Sequence, residues 1–304
     1  MDVERPDSRS RLQAVQICFV VDDVPKATQE CVDRFGWGPF QGFTADLPEA
    51  SYRDWTGPRR TEVALGMAGS VQVELIHVHA GRDAIATYQT RYGRGAQHLG
   101  LVCGERDAAL ARLVALGARL DDRNEYDGVR IAFVDVPTGP AMFELLEPVR
   151  ADAAGGATRQ RAWAPDAERL ALDRATVVAR DFDGALRFFR EAFGWAGPEP
   201  MRMRLRTAEG AQPFLRVLAR SGPLEIELLS PLSSGNEPYS RHLAGRDHGL
   251  VHASARVGGD RLLAEDEGSS LYEWIESGER FRLVDWAGGV GALQLRAEVA
   301  ARAD

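Results

Sequence analysis

Apolar and polar residues alternate in short strand-length runs along this chain, and helix-length amphipathic segments separate them. In the run 16–21, Ile17, Phe19 and Val21 share one face of a strand and Gln16, Cys18 and Val20 the other, because strand side chains alternate with a period of two. In 71–75 the same parity sets Gln72 and Glu74 against Val71, Val73 and Leu75; it also separates His98 from Leu99 and Leu101, and Glu144 from Phe143 and Leu145. The apolar faces require a helical cover, which leaves Gln16, Glu74, His98 and Glu144 together on the opposite face of four strands.

The helices are signalled at their ends. Asp22, Asp23 and Pro25 are N-cap and first-turn residues after the first strand, and Gly36 is a stop. The strand at 98–103 leads similarly into Asp107, an apolar-periodic segment with Leu110, Leu113 and Val114, and a stop at Gly117. Strand-like runs follow each helix, at 61–67 and 70–78 in one case and 129–136 and 140–148 in the other. The grammar is βαβββ.

It is written four times, because the chain repeats itself. Phe35-Gly36-Trp37 recurs as Phe193-Gly194-Trp195, and Val20-Val21-Asp22-Asp23 meets Val178-Ala179-Arg180-Asp181 at the same offset. Val73-Glu74-Leu75-Ile76 meets Ile226-Glu227-Leu228-Leu229, and His98 meets His252. Two duplicated domains are expected, at 12–149 and 171–298, joined by an Ala-, Gly- and charge-rich linker over 150–170.

Composition narrows the classes of function. With 37 basic and 45 acidic side chains among 304 residues the net charge is −8, which argues against nucleic acid as a partner. No run approaches the ~20 apolar residues that cross a bilayer, and the N-terminal segment lacks the apolar core of a secretory signal, so a cytoplasmic protein with no membrane partner is expected. Cys18, Cys31 and Cys103 have no paired spacing and read as buried small hydrophobes. No phosphate-binding glycine fingerprint occurs, so no nucleotide cofactor is expected.

The runs QICFVVDDVPKA, VELI, AQHLGLV and MFELLEP together resemble the vicinal oxygen chelate superfamily, which includes glyoxalase I, methylmalonyl-CoA epimerase, extradiol dioxygenases and antibiotic-resistance proteins. The resemblance covers 12–149 well and 172–298 more faintly. It implies an α+β fold of four βαβββ modules, paired into two half-open mixed β-barrels with helices on the outer faces. It also implies one divalent metal bound inside the first barrel by Gln16, Glu74, His98 and Glu144. An imidazole, an amide oxygen and two carboxylates form a borderline-to-hard donor set whose two negative charges neutralise a dication; Zn, Ni, Co, Mn and Fe(II) all remain open.

By the same resemblance Glu144 is the first choice for a catalytic base and Glu74 the second, in a Lewis-acid and proton-transfer reaction of the isomerase, epimerase or lyase kind. The substrate would be a small oxygenated, conceivably aromatic, metabolite. An aromatic-lined pocket is expected from Trp37, Phe40, Tyr52, Trp55, Tyr88 and Tyr92, the last two spaced for one helical face. The second half carries Arg174, Glu227, His252 and Gln294 at the corresponding positions, and a guanidinium repels a dication, so this half should be metal-free. Its role is then to complete the fold, cover the first pocket or bind an anion through Arg174. His77 and His79 have the wrong parity to join Glu74, and His242 and His248 lie in a charged segment. Two alternatives stay open, a metal-free binding or drug-sequestration protein and an iron-dependent oxygenase. A duplicated chain of this kind is expected to be a monomer or a homodimer.

Overall fold

The computed structural model describes residues 12–126, 128–136, 142–149, 170–197, 199–207, 210–235, 238–246, 248–257, 270–276, 279–286 and 289–298. The expected linker, but for Leu170, lies outside them.

The first half runs β1 (Gln13–Val20), α1 (Val24–Phe35), β2 (Gln41–Tyr52), β3 (Trp55–Ala68), β4 (Val71–Ala80), α2 (Ala84–Tyr92), β5 (Gly95–Val102), α3 (Arg106–Ala115), β6 (Arg119–Tyr126), β7 (Val129–Asp135) and β8 (Met142–Pro148). The second half repeats it as β9 (Ala171–Ala179), α4 (Phe182–Phe193), β10 (Met201–Thr207), β11 (Gly210–Ser221), β12 (Leu224–Pro231), α5 (Pro238–Ala244), β13 (His248–Arg256), β14 (Ser270–Glu276), β15 (Glu279–Trp286) and β16 (Gly289–Glu298). Each half forms one 8-stranded sheet with the same order, β2-β3-β4-β1-β5-β8-β7-β6 and β10-β11-β12-β9-β13-β16-β15-β14. The first is thus two βαβββ modules joined at their first strands, and the second repeats the strand order. In the fourth module the segment between β13 and β14 lies outside the described residues.

Local chemistry sets the elements. The Asp23 side chain accepts the Lys26 backbone N–H at 2.8 Å to open α1, and Gly36 ends it at φ 66°, a left-handed conformation glycine adopts without steric cost. Cap chemistry recurs at α4, between Asp181 and Gly194. The α3 segment starts two residues earlier than an N-cap at Asp107 would give: Glu105 occupies the N-cap, with no side-chain cap bond, and Asp107 sits in the first turn.

The first sheet curls until its edges approach. Phe43 on β2 stacks on Tyr126 of β6, ring centroids 5.0 Å apart, and Arg59 on β3 reaches Asp122 on β6 at 3.0 Å. The result is a half-open barrel. Its two faces separate as the alternation requires: Ile17, Phe19, Val21, Val73, Leu75, Leu99, Leu101, Phe143 and Leu145 join the main core, whereas Cys18, Val20, Val63, Ile76 and Val78 form a separate cluster on the concave face.

The main core is continuous between the halves. Trp286 of β15 packs edge-on against Phe19, Phe35 and Trp37, with centroids 5.2, 5.7 and 5.7 Å away. Phe143 packs against Phe188, Phe189 and Phe193 of α4. Polar contacts reinforce the seam, including Ala14 N–H to Ser221 Oγ at 3.2 Å and Trp37 Nε1–H to the Leu170 carbonyl at 2.8 Å. Among the described residues no helix is long and apolar enough to cross a membrane.

Candidate metal centre

Sheet register places the candidate donors in two adjacent rows on the concave face. In one row Glu74 pairs with Cys18, Cys18 with His98 and His98 with Met142. In the next, Gln16 pairs with Gly100 and Gly100 with Glu144. Parallel pairing of β1 with β4 and of β5 with β8 makes this possible, because it brings residues from sequence-distant strands level.

Gly100 is required by the arrangement. A Cβ at this position would lie 2.1 Å from Gln16 Oε1 and 2.7 Å from Gln16 Cβ, so the amide occupies the space that a side chain would take. Substitution there would displace Gln16.

The tips converge. His98 Nε2 stands 3.2 Å from Glu74 Oε2 and 3.4 Å from Glu144 Oε2, and His98 is completely buried. With His98 neutral, Gln16 Oε1, Glu74 Oε2, His98 Nε2 and Glu144 Oε2 all lack a hydrogen-bond partner; a proton on Nε2 would instead tie His98 to the two carboxylates. Buried polar atoms are normally paired, since an orphan forfeits its hydration for nothing. Four such atoms belong to one face, and the two carboxylate oxygens stand from His98 Nε2 at separations typical of atoms that share an ion at about 2.0–2.2 Å, a donor set that fits a divalent metal.

A β-bulge orients the imidazole. Between Cys18 and Phe19 the register on β5 skips from His98 to Ala96, so Gln97 is the extra residue and its side chain joins that of His98. Gln97 Oε1 accepts a hydrogen bond from His98 Nδ1 at 2.5 Å, and Gln97 Nε2 donates to Met142 Sδ at 2.9 Å. The proton is thereby assigned to Nδ1, leaving the Nε2 lone pair directed at the carboxylates, the role an outer partner plays for a metal-binding histidine.

Electrostatics agree with a site awaiting positive charge. Burial opposes protonation of His98, but Cys18, Glu144 and Glu74 around it raise its pKa well above the ordinary imidazole value. Burial, reinforced by Glu74, raises the Glu144 carboxyl. The Cys18 thiol is pushed up by burial and by Glu74. Cys18, Glu74 and His98 offer donor atoms all within 4.8 Å of one another. Cys18 is buried, as a small hydrophobe would be, but stands on the donor face that its parity with Gln16 gives it.

The second half closes the equivalent position with its own side chains. Arg174, in place of Gln16, bonds Glu225 Oε2 at 2.7 Å and reaches Glu227 Oε1 at 3.5 Å. Arg216 Nε lies 2.7 Å from Glu227 Oε1, and Thr176, in place of Cys18, donates to Glu227 Oε2 at 2.6 Å. Ser254 replaces Gly100 and donates to Gln294 Oε1 at 2.8 Å, while the Tyr239 hydroxyl lies 3.2 Å from His252 Nε2. Burial opposes the charge on Glu227, yet Arg216 and Arg174 hold its pKa below the usual carboxylate value; burial and the nearby arginines take His252 down to about 4. This set does not fit a dication.

A cavity of about 420 Å³ adjoins the first centre, and Tyr52, Tyr88 and Tyr92 line it together with Gln97, Met142 and Arg246. The other expected pocket aromatics lie elsewhere. Trp37 is a core residue, packed on Phe35 and Trp286. Phe40 lies against Gly66, whose Cβ would fall 2.6 Å from its ring, on the face opposite Glu74. Trp55 covers Gly57 in the β2–β3 hairpin. None of the three lines this cavity, so the expectation that they form its wall with the tyrosines is corrected. His77 and His79 point away from Glu74, His77 Nδ1 to the Val21 carbonyl at 2.8 Å and His79 Nε2 to Glu62 at 3.0 Å.

Residues 15–133 match the family model described as the Glyoxalase/Bleomycin resistance protein/Dioxygenase superfamily. No curated protein sequence matches the chain significantly. Among solved structures, a triple mutant of 4-hydroxymandelate synthase from Streptomyces coelicolor is 16% identical with TM-score 0.65, covering 97% of this chain and 95% of that one. A hypothetical protein from Staphylococcus aureus is 10% identical with TM-score 0.52, covering 94% and 99%. At these identities the likeness is one of fold, extending across both halves.

Proposed function

Residues 15–133 belong to the glyoxalase, bleomycin resistance protein and dioxygenase superfamily, and on that premise we propose that this protein is a divalent-metal-dependent enzyme of the vicinal oxygen chelate type. It transfers a proton at a carbon beside a substrate oxygen, as an isomerase, epimerase or lyase acting on a small oxygenated metabolite. The supporting observation is the contrast between the halves. Donor atoms of four buried side chains in the first share one face without a partner, two of the carboxylate oxygens standing beside His98, whereas their counterparts in the second are tied into ion pairs and hydrogen bonds.

Gln16, Glu74, His98 and Glu144 would hold the ion, one of Zn, Ni, Co, Mn or Fe(II). When bound it supplies Lewis-acid polarisation of substrate oxygen, which acidifies the neighbouring C–H. The remaining work belongs to the chain. Gln97 keeps the His98 tautomer fixed. Glu144 is the first choice to accept the substrate proton, with Glu74 second, and the buried concave face keeps water from competing for it. Phe133, whose ring stands edge-on to His98 at 5.4 Å, forms part of that apolar wall. The second half, with its cluster closed, supplies packing and one wall of the cavity.

Metal analysis of the purified protein should find one ion per chain. In D2O the loaded protein should exchange the carbon-bound proton of a responsive α-hydroxyketone or acyl thioester, and Glu144→Gln should slow that exchange by about 10²–10⁴-fold. Full metal content with unchanged exchange in the variant removes Glu144 from its role. The donor set contains a single histidine, which sets it apart from two-histidine, one-carboxylate iron oxygenases. Oxygen consumption by the Fe(II)-loaded protein would favour that alternative, and ligand binding indifferent to chelator without any product would favour a sequestration protein.

A further inference from the structure

The 420 Å³ cavity has a charge inventory that does not cancel. Its walls carry Arg53, Arg91, Arg119 and Arg246 against Asp121 and Asp135. Both carboxylates are taken: Arg53 bonds Asp121 at 3.1 Å, and Arg119 bonds Asp135 at 2.8 Å and reaches Asp121 at 3.5 Å. Among the described residues neither Arg91 nor Arg246 has a carboxylate partner. Among the described residues, two guanidinium groups at this one partly enclosed cavity thus have no carboxylate partner.

Arg246 is also held in place. Its guanidinium carbon lies 3.9 Å from the ring centroid of Tyr92 and 5.5 Å from that of Tyr88. Tyr88 is itself fixed, its hydroxyl donating to the Ala96 carbonyl at 2.9 Å. Arg246 also hydrogen-bonds the Tyr88 side chain; stacking and this bond restrict its rotamers, so less entropy is lost when its remaining N–H donors meet a planar acceptor. The two tyrosines come from α2 of the first half and the arginine from the segment preceding β13 in the second, so neither half alone makes the receptor.

The cavity reaches the immediate neighbours of the donor cluster. Gln97 and Met142 line the cavity, Gln97 is bonded to His98, and Met142 is the register partner of His98. A ligand in the cavity thus rests against the side chains that bound the candidate metal centre.

We infer that this cavity receives the carboxylate of a small, flat organic acid, with Arg246 as the principal anion receptor, Arg91 as a secondary one and Tyr88 and Tyr92 beside the organic body. Resting on the metal-dependent reading above, this makes the substrate an organic acid and assigns the second half a part in its recognition. A guanidinium fork pairs with carboxylate and phosphate alike, so the preference comes from the tyrosine rings beside it, which offer a face to a flat organic body that inorganic phosphate lacks.

Benzoate, benzamide and inorganic phosphate, titrated calorimetrically into the chelator-treated full-length protein, test the inference apart from the metal. Benzoate should bind, and neutral benzamide and phosphate at least tenfold more weakly. Arg246→Met, which keeps an apolar stem on Tyr92, should weaken benzoate at least tenfold; Arg246→Lys, keeping charge without the fork, should lose less, and Arg91→Met less again. Circular dichroism and melting temperature confirm that each variant is folded.

Absence of benzoate binding, equal binding of benzamide or phosphate, or indifference to Arg246→Met overturns the inference. So does benzoate binding that appears only after metal loading and ignores Arg246, an outcome that leaves the proposed function standing. Conversely, Arg246-dependent benzoate binding by a protein that takes up no metal supports the cavity assignment and defeats the metal-dependent reading alone.

Discussion

At the scale of single residues, the candidate centre depends on side chains that do not touch the ion as much as on those that do. Gln97 determines which His98 nitrogen faces Glu74 and Glu144. Gln97→Ala should therefore leave the sheet intact yet weaken metal binding by about 10–100-fold, as loss of an outer-shell partner does, measured by Co(II) or Zn(II) titration. The raised pKa of His98 fixes the sign of the pH dependence. Proton and metal compete for Nε2, so apparent affinity should rise about tenfold per pH unit while His98 remains protonated in the metal-free protein, and level off above its pKa. A flat profile from pH 5 to 8 would show that His98 does not ligate. Strand parity made Gln16, Glu74, His98 and Glu144 legible in the sequence as members of one face. Gln97 was not legible, because a bulge reverses the local parity that alternation assumes and nothing in AQHLGLV announces it. The aromatics were ambiguous for a different reason: Trp37 and Tyr92 are both amphipathic rings near helix ends, and only tertiary packing distinguishes a core anchor from a cavity wall.

At the scale of elements, duplication explains why one scaffold carries an open donor set and a closed one. Corresponding strands keep the same sheet order and the same bulge: the β9–β13 register skips a residue at Val251 as β1–β5 does at Gln97. What changes is the chemistry at fixed positions, Gln16 to Arg174, Cys18 to Thr176 and Gly100 to Ser254. These replacements turn a cluster of unpaired donors into a buried ion-pair network around Glu227. Glu227→Gln should cost about 3 kcal/mol, since breaking one side of a buried pair leaves Arg174 and Arg216 inadequately compensated, and urea denaturation would measure it. Because the Glu227 pKa is lowered on folding, its contribution is present above the unfolded carboxylate pKa and is lost as pH falls through the folded one. The stability gap between wild type and variant should thus narrow on acidification, while metal stoichiometry stays at one per chain. The sequence revealed the loss of the ligand at Arg174, but the ion pairs that replace it join β9, β11 and β12, and Arg216 had no motif to mark it.

At the scale of the whole molecule, the repeat was legible from matching motifs, whereas the manner in which the halves meet was not. Phe19, Phe35 and Trp37 look like the core of a self-sufficient domain, yet Trp286 from the other half packs against all three. A continuous core implies that neither half reaches its full stability alone and that they unfold together. Trp286→Ala should remove about 3–5 kcal/mol, the usual cost of deleting a large buried aromatic, and should lower the transition reported by probes in both halves. The same coupling carries metal binding across the seam. An ion held only by the folded first half, supplied at 100 times its Kd, stabilises the native state by about 2.7 kcal/mol. If unfolding is one event, that increment should appear in full at the Arg174–Glu227 network, although no metal touches it, for example as slower hydrogen exchange of β9 and β12 amides. Exchange protection that rises in β1, β4, β5 and β8 but not in the second sheet would mean that the halves open independently, and the shared core would then be a docking surface rather than a single cooperative unit.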